Sequence, residues 1–487
     1  SLSLGASAAE NELRELDHYF LKTDEYQRAL RGEVQVVAGR KGSGKTALFF
    51  QLRNRLRQDK NLVVLDLKPE GFQLLKFKER LLDFLQEGTK EHTITAFWEY
   101  LILLEACHKI LEKDRVRHVH DHTLFDRYRT LANAYAEDAY VSEGDFSERV
   151  LGLIQGVVEE FQRAADSKAA EGVRLSSDQI TELLYRHDVA RLRREVEEYL
   201  EHKGGLWISF DNLDKGWPPR GLQPNDVMML RCLLDALAKI ERSLSRRGVE
   251  CHGVVFLRND VYELLVEGTS DRGKTKRISI DWTDANLLRE LLRRRFVYAG
   301  IDESHSFDEI WRQFFVSHVK GEESSQYLID RCFMRPRALI DLVNYCRSHA
   351  ANLGHNRIEA DDVLQGEANY STDMVSNIGF EIRDVFPDAG DVLYEFLESS
   401  PHLSMKELHQ ALTRVGLADD RHQVVVDLLF WFGVLGFVRA EDDVAYIHDV
   451  NYDMMRFKGL IRKAETRGDQ PVLFINPALW AGLEIRA

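Results

Sequence analysis

One run of eight residues constrains this chain more than anything around it: Gly39-Arg40-Lys41-Gly42-Ser43-Gly44-Lys45-Thr46. It satisfies GxxxxGK[ST] at every defined position. An apolar segment, Val34 to Val37, precedes it, and a helix-forming stretch, Ala47-Leu48-Phe49-Phe50, follows. Strand, glycine-rich turn and helix in that order make a phosphate cradle. Glycines let successive backbone N–H groups converge on one anion, and the helix N-terminus adds partial positive charge. The expected cofactors are therefore ATP and Mg2+. Gly39, Lys41, Gly42, Ser43 and Gly44 would wrap the phosphates, Lys45 would bridge the β- and γ-phosphates, and the Thr46 hydroxyl would ligate the metal.

Such a loop needs a carboxylate from a neighbouring strand to hold hydrated Mg2+. The apolar run Leu206-Trp207-Ile208-Ser209-Phe210 ends in Asp211-Asn212-Leu213-Asp214, so Asp211 is the expected metal partner of Thr46. A base that orients the attacking water would stand directly after Asp211, but Asn212 cannot accept a proton. Asp214 is the nearest substitute, either polarising water or capping the following turn. The expected reaction, ATP and water to ADP and phosphate, should be slow. A third strand, Val254-Val255-Phe256-Leu257, ends in Arg258-Asn259-Asp260, and Arg258 or Asn259 is the candidate sensor of the γ-phosphate.

The surrounding pattern predicts an α/β P-loop NTPase with a parallel sheet and several appended parts. Residues 1–30 read as a linker containing an amphipathic helix over 10–30. Residues 31–72 and 204–282 form the nucleotide core, with a second strand at Leu62–Leu67 and a turn at Lys68-Pro69-Glu70-Gly71. Residues 73–203 read as an all-helical insertion and 283–384 as a helical lid. The lid carries Arg335-Pro336-Arg337 at a helix start, where either arginine could close on phosphate. Arg293-Arg294-Arg295 reads as a solvated helix face or as a finger offered to a neighbouring subunit. Residues 385–487 have the order of a winged helix: a helix over 405–415, another over 420–433 and a wing over 437–447.

Charge bounds the partners. The 487 residues carry a formal net charge of -15, which disfavours nucleic acid as the main ligand, although a local basic groove remains compatible. The helix placed to read DNA is nearly all apolar (Gln423-Val424-Val425-Val426 through Phe432), and the wing carries Glu441-Asp442-Asp443. Core packing or docking against the ATPase is the better expectation. No apolar run approaches the ~20 residues of a membrane span, so a cytoplasmic protein is expected. The five cysteines form no CxxC pair and read as reduced, buried thiols. His118-Val119-His120-Asp121-His122 looks like a metal run but is one residue short of HxHxDH, and it reads as a solvated loop or a helix junction. The chain begins Ser1-Leu2-Ser3, and an upstream domain is expected.

Together these motifs resemble the AAA+-like and STAND-class P-loop ATPases of bacterial conflict and antiphage systems. The resemblance rests on Gly39 to Thr46, Asp211 to Asp214, Phe256 to Asp260, Arg335 to Arg337 and the winged-helix order. It implies an ATP-gated switch that forms homo-oligomers and controls an effector domain or effector protein. Two alternatives stand beside it: an origin-recognition-like DNA-binding ATPase, and a scaffold stabilised by ATP without catalysis.

Overall fold

The structure is a computed structural model describing residues 4–68, 90–137, 163, 189–213, 224–267, 276–440, 443–467 and 470–486. Asp214, the turn residues 69–71, Glu441 and Asp442 lie outside the described residues, as does much of the expected insertion.

The nucleotide core is a five-stranded sheet built from β1 (Val36–Ala38), β2 (Leu62–Leu67), β3 (Gly205–Phe210), β4 (Cys251–Leu257) and β5 (Arg277–Ser279). Its spatial order is β2-β3-β4-β1-β5, with every neighbour parallel. β1 and β3 are buried at every residue, which is why they read as unbroken apolar runs rather than alternating ones. β4 stands between the P-loop strand and the Asp211 strand. Ala38 is level with Leu257 and Phe210 with Val255, so the carboxyl ends of three strands open onto one crevice. β5 is three residues long with one apolar side chain, too brief for pattern reading to detect.

The helices Lys90–Asp114, His122–Glu137 and Val189–Leu200 belong to the same apolar core as β2, β3 and the helix Pro224–Arg246, and the short helix Arg117–His120 between the first two buries none of its residues. Within them His118 stacks on Tyr128 with ring centroids 3.7 Å apart, and its Nδ1 lies 3.0 Å from the Asp114 carbonyl. Among the described residues no group of three or more metal-binding side chains converges.

The N-terminal segment departs from expectation. Instead of one helix it forms two short ones, Leu16–Tyr19 and Asp24–Leu30, joined by extended chain at Phe20–Thr23. Arginines from the helix Ala285–Tyr298 are the cause. Arg294 donates to the Phe20 carbonyl at 2.9 Å, and Arg295 donates to the Leu4 carbonyl at 2.5 Å and to Glu12 at 2.9 Å. Arg293 turns instead to Glu290. The arginine triplet is thus bound within the chain, neither wholly solvated nor offered outward.

Beyond the sheet come the helices Phe307–Phe314, Ser324–Asp330, Pro336–Asn352 and Ala360–Val385. Their starts follow sequence signals: Ser306 and Glu309 form a capping box, and Pro336 occupies the first turn of its helix. The C-terminal part has the expected order of helices, Met405–Arg414 and Asp419–Trp431, then the hairpin Leu435–Ala440 with Asp443–Ala445. Two further elements were not anticipated. A helix, Met454–Thr466, follows the hairpin. A strand, Val472–Ile475, then inserts antiparallel between Leu435–Ala440 and His402–Ser404. One apolar core runs from Leu288 through Leu483, so these helices and this sheet are packed as one body. Ser371 fastens the chain end, donating to the Ala478 carbonyl and accepting from Gly482 N–H, both at 2.8 Å.

Candidate nucleotide site

The loop Gly39–Thr46 is shaped by positions that tolerate little else. Gly42 and Gly44 adopt φ of 80° and 101°, and Gly44 caps the helix Lys45–Arg57 in that left-handed conformation. At Gly39 a Cβ would lie 2.5 Å from Ser43 Oγ and 3.0 Å from the Ile280 carbonyl, so the loop is pressed against the chain leaving β5. Trp282 pins it from the same side, its indole N–H donating to the Ser43 carbonyl at 2.8 Å. Lys45 Nζ sits within the loop, donating to the carbonyls of Gly39 at 2.7 Å and Arg40 at 3.0 Å.

This loop floors a cavity of about 390 Å³. Lys41 through Leu48, Asp211, Asn212, Arg258, Trp282, Arg337 and Asp384 line it. Leu16, Tyr19, Phe20 and Leu21 of the N-terminal segment line it as well, together with Leu291 and Ile340. The volume and a lining that combines the glycine-rich loop with apolar side chains suit a nucleotide.

Several expected site residues meet here. Asp211, 2% exposed, lines the same cavity as Thr46. Its Oδ2 lies 3.1 Å from Lys68 Nζ and makes no hydrogen bond, leaving a buried carboxylate oxygen that suits a divalent cation. Lys68 itself hangs over the Phe50 ring at 3.9 Å. Arg258 lines the cavity and is oriented by Asp260, with bonds of 3.0 and 2.7 Å, and by Asp384 at 3.8 Å. Asn259 is buried and does not line the cavity; its amide donates to Asp281 at 2.5 Å.

The two lid arginines part ways. Arg337 lies against the loop: its backbone N–H donates to the Gly42 carbonyl at 3.3 Å, and its Cβ would be 3.2 Å from a Cβ at Gly42. Arg335 is not brought to the cavity. It caps its helix facing the other way, 4% exposed, and pairs with Glu381 at 3.1 Å. Residues two apart at a helix start point to different sides, so only one of the two faces the cavity.

Sequence reasoning passed over Arg40, which occupies a variable position of the motif. Its side chain leaves the cavity and is fully buried among three other parts of the chain. It donates to the Phe333 carbonyl at 2.9 Å, lies 3.6 Å from Asp281 Oδ1 and covers the Tyr452 ring at 4.6 Å. Burial pushes its proton affinity down, and Arg335 adds to that. Phe333, Met334 and Tyr452 have φ between 51° and 59°, a conformation rare for such side chains, so both turns that meet Arg40 are held strained. No motif reports this, because the contacts come from residues about 290 and 410 positions away.

A family model described as the FunZ-associated C-terminal helical domain matches residues 286–379. A putative transposon gamma-delta 80.3 kDa protein of Escherichia coli (strain K12) is 22% identical over 504 residues, covering 99% of this chain and 67% of that protein. Cdc6p from Pyrobaculum aerophilum superposes with TM-score 0.32 and 11% identity over 95% of this chain and 96% of that one. The Aeropyrum pernix ORC1 protein, solved in complex with DNA, gives TM-score 0.32 and 15% identity over 98% of this chain and 92% of that one. Superpositions this loose carry no argument. The α/β P-loop fold rests on the sheet order and the loop themselves. Among the described residues no helix is long and apolar enough to cross a membrane.

Proposed function

We propose that this chain binds ATP with Mg2+ in the cavity above Gly39–Thr46, hydrolyses it slowly, and uses nucleotide occupancy as a conformational switch. The observation that supports a switch over simple binding is Arg40. It is a P-loop residue, yet its guanidinium is shared between the lid turn at Phe333 and the turn at Tyr452. A change in the loop around phosphate is therefore a change in what those turns hold. A ligand shifts such an equilibrium only when the two states bind it unequally. Arg337, lying on Gly42 from the lid, supplies that inequality by adding positive charge in the closed arrangement.

Thr46 and Asp211 would hold the metal, which when bound neutralises phosphate charge. Lys45 would take the β- and γ-phosphates, Arg258 would face the γ-phosphate, and Leu16, Tyr19 and Ile340 would enclose the base. Asn212 lines the cavity where a base would be needed and cannot act as one, which supports slow turnover. Asp214 is retained as the residue that would polarise water. We read the C-terminal body as a winged helix with an added strand. Control of an effector in a bacterial defence system, and homo-oligomer formation, rest on the resemblance of motifs alone.

The test pairs two variants. Lys45→Ala should lose nucleotide binding in a fluorescence titration while the fold persists. Arg40→Ala should keep binding but lose nucleotide-dependent hydrogen-exchange protection at 446–453, and Tyr452→Leu should uncouple the same contact from its other side. Unchanged affinity in Lys45→Ala would sink the nucleotide reading. Protection that still responds to nucleotide in both other variants would sink the switch. Nucleotide that stays bound through purification without phosphate release would leave only an ATP-stabilised scaffold.

A further inference from the structure

The acidic balance of the chain conceals one strongly cationic face. The helix Met454–Thr466 buries Phe457 and Ile461 against the C-terminal core, with the Phe457 ring 5.1 Å from Phe430, and Lys458 pairs with Asp427. Its outer face is different. Arg456, Arg462, Lys463 and, at the C-cap, Arg467 are all exposed. None of the four makes an ion pair among the described residues, although the chain has 80 acidic residues to offer.

Helix stability accounts for only part of this. Cations in the last turn suit the negative end of the helix dipole, which explains Lys463 and Arg467. Arg456 stands in the first turn, where the dipole opposes it. Gly459 is a second anomaly. Glycine weakens a helix interior, and a Cβ there would meet nothing within 4 Å, so packing does not require it. On a helix its surface neighbours lie three and four residues away: Met455, Arg456, Arg462 and Lys463. A bare patch of backbone is thus ringed by three cations.

We propose that this face binds the phosphate backbone of a nucleic acid, with one phosphate seated on Gly459 between Arg456, Arg462 and Lys463, and a neighbouring one on Arg467. The chemistry of the face selects among polyanions. An anionic membrane is met by the apolar side of an amphipathic helix, and here that side is already buried in the fold. Protein interfaces centre on apolar and aromatic anchors with charge at the rim, and this face offers only Met455. Phosphodiester chains need what is present: clustered guanidinium groups, an ammonium and room for close approach. The net charge of -15 repels nucleic acid from the rest of the surface and so favours docking through this face. The helix expected to read DNA, Asp419–Trp431, is not the one that carries the charge. The inference does not depend on the nucleotide reading. It does place the ligand one turn from Tyr452, where a nucleotide-driven shift would be felt.

The experiment measures fluorescence anisotropy of a labelled random-sequence DNA duplex with the full chain, across a salt series. Binding should weaken with salt, each phosphate contact contributing roughly 0.9 to the log–log slope. Arg456→Gln with Lys463→Gln should cut affinity at least tenfold at low salt and reduce the slope by about 2. Gly459→Ala should raise thermal stability while weakening DNA binding, a combination that a structural role for the glycine does not produce. Nucleotide affinity, measured on the same samples, should not change in these variants, so failure here is distinguishable from failure of the switch. No binding by the wild-type chain at low salt, a slope unchanged in the double variant, or equal affinity for polyglutamate or phosphatidylserine vesicles would each overturn the proposal.

Discussion

At the scale of single residues, the site is decided as much by what is buried behind it as by the loop. Arg40 is paired across 3.6 Å with Asp281 while neither Arg40 Nε nor Asp281 Oδ1 makes a hydrogen bond. Such a pair holds the surrounding turns by charge rather than by geometry, and buried charge that loses its partner is strongly destabilising. His448 lies close enough to feel it. Burial pushes the His448 imidazole down to about 4, the Asp449 carboxylate opposes this, and the Arg40 charge reinforces it. In the unfolded chain the same group titrates near 6.5, so below that pH the unfolded state binds the proton that the folded state refuses. Stability should therefore be full above about pH 6.5 and fall as pH drops toward 4. Urea midpoints across that range should show the decline, and His448→Gln should flatten it. An equal slope in the variant would assign the acid sensitivity to other groups.

At the scale of elements, the N-terminal segment is the part whose role changed most. It read as a linker, yet residues from Ser7 to Thr23 form one wall of the cavity. What holds that wall is a buried pair, Arg295 with Glu12, which are 6% and 4% exposed. Tyr19 joins them, with the Arg295 guanidinium 4.4 Å over its ring and its hydroxyl donating to Glu12. Removing one partner of a buried pair typically costs about 3–5 kcal/mol. Arg295→Ala should therefore lower unfolding stability by that order, loosen residues 4–23 to proteolysis and weaken nucleotide affinity. A stable variant with an intact N-terminal segment would show that the wall stands without the pair.

At the scale of the whole molecule, the division that matters is between the sheet with its insertion helices and the body from Leu288 to Leu483, which shares one core. The second body meets the P-loop through Arg337 at Gly42 and through the two turns on Arg40. It should therefore move as a unit when the loop rearranges, carrying any surface it exposes. If that movement opens an assembly face, a non-hydrolysable ATP analogue should shift the mass in mass photometry to a defined oligomer, and Lys45→Ala should abolish the shift. An unchanged mass would confine the switch to one chain or to a complex that forms regardless of nucleotide.

Local chemistry was legible directly. The loop, the strand ending in Asp211, the strand ending at Arg258 and the helix opening at Pro336 follow from motifs whose physics acts over a few residues: φ at glycine, burial of an apolar run, a proline in a first turn. The strand order, the choice of Arg337 over Arg335, the wall built from Leu16, Tyr19 and Phe20, and the burial of Arg40 depend on contacts between residues hundreds of positions apart. So does the strand Val472–Ile475, whose partners lie at Leu435–Ala440 and His402–Ser404. Sequence by itself determined that an α/β core with a P-loop turn would form, because each part of that motif is satisfied by its neighbours in the chain. Only the tertiary structure decided what the core is connected to, because a buried side chain takes its partners from whatever packing brings within a few ångströms.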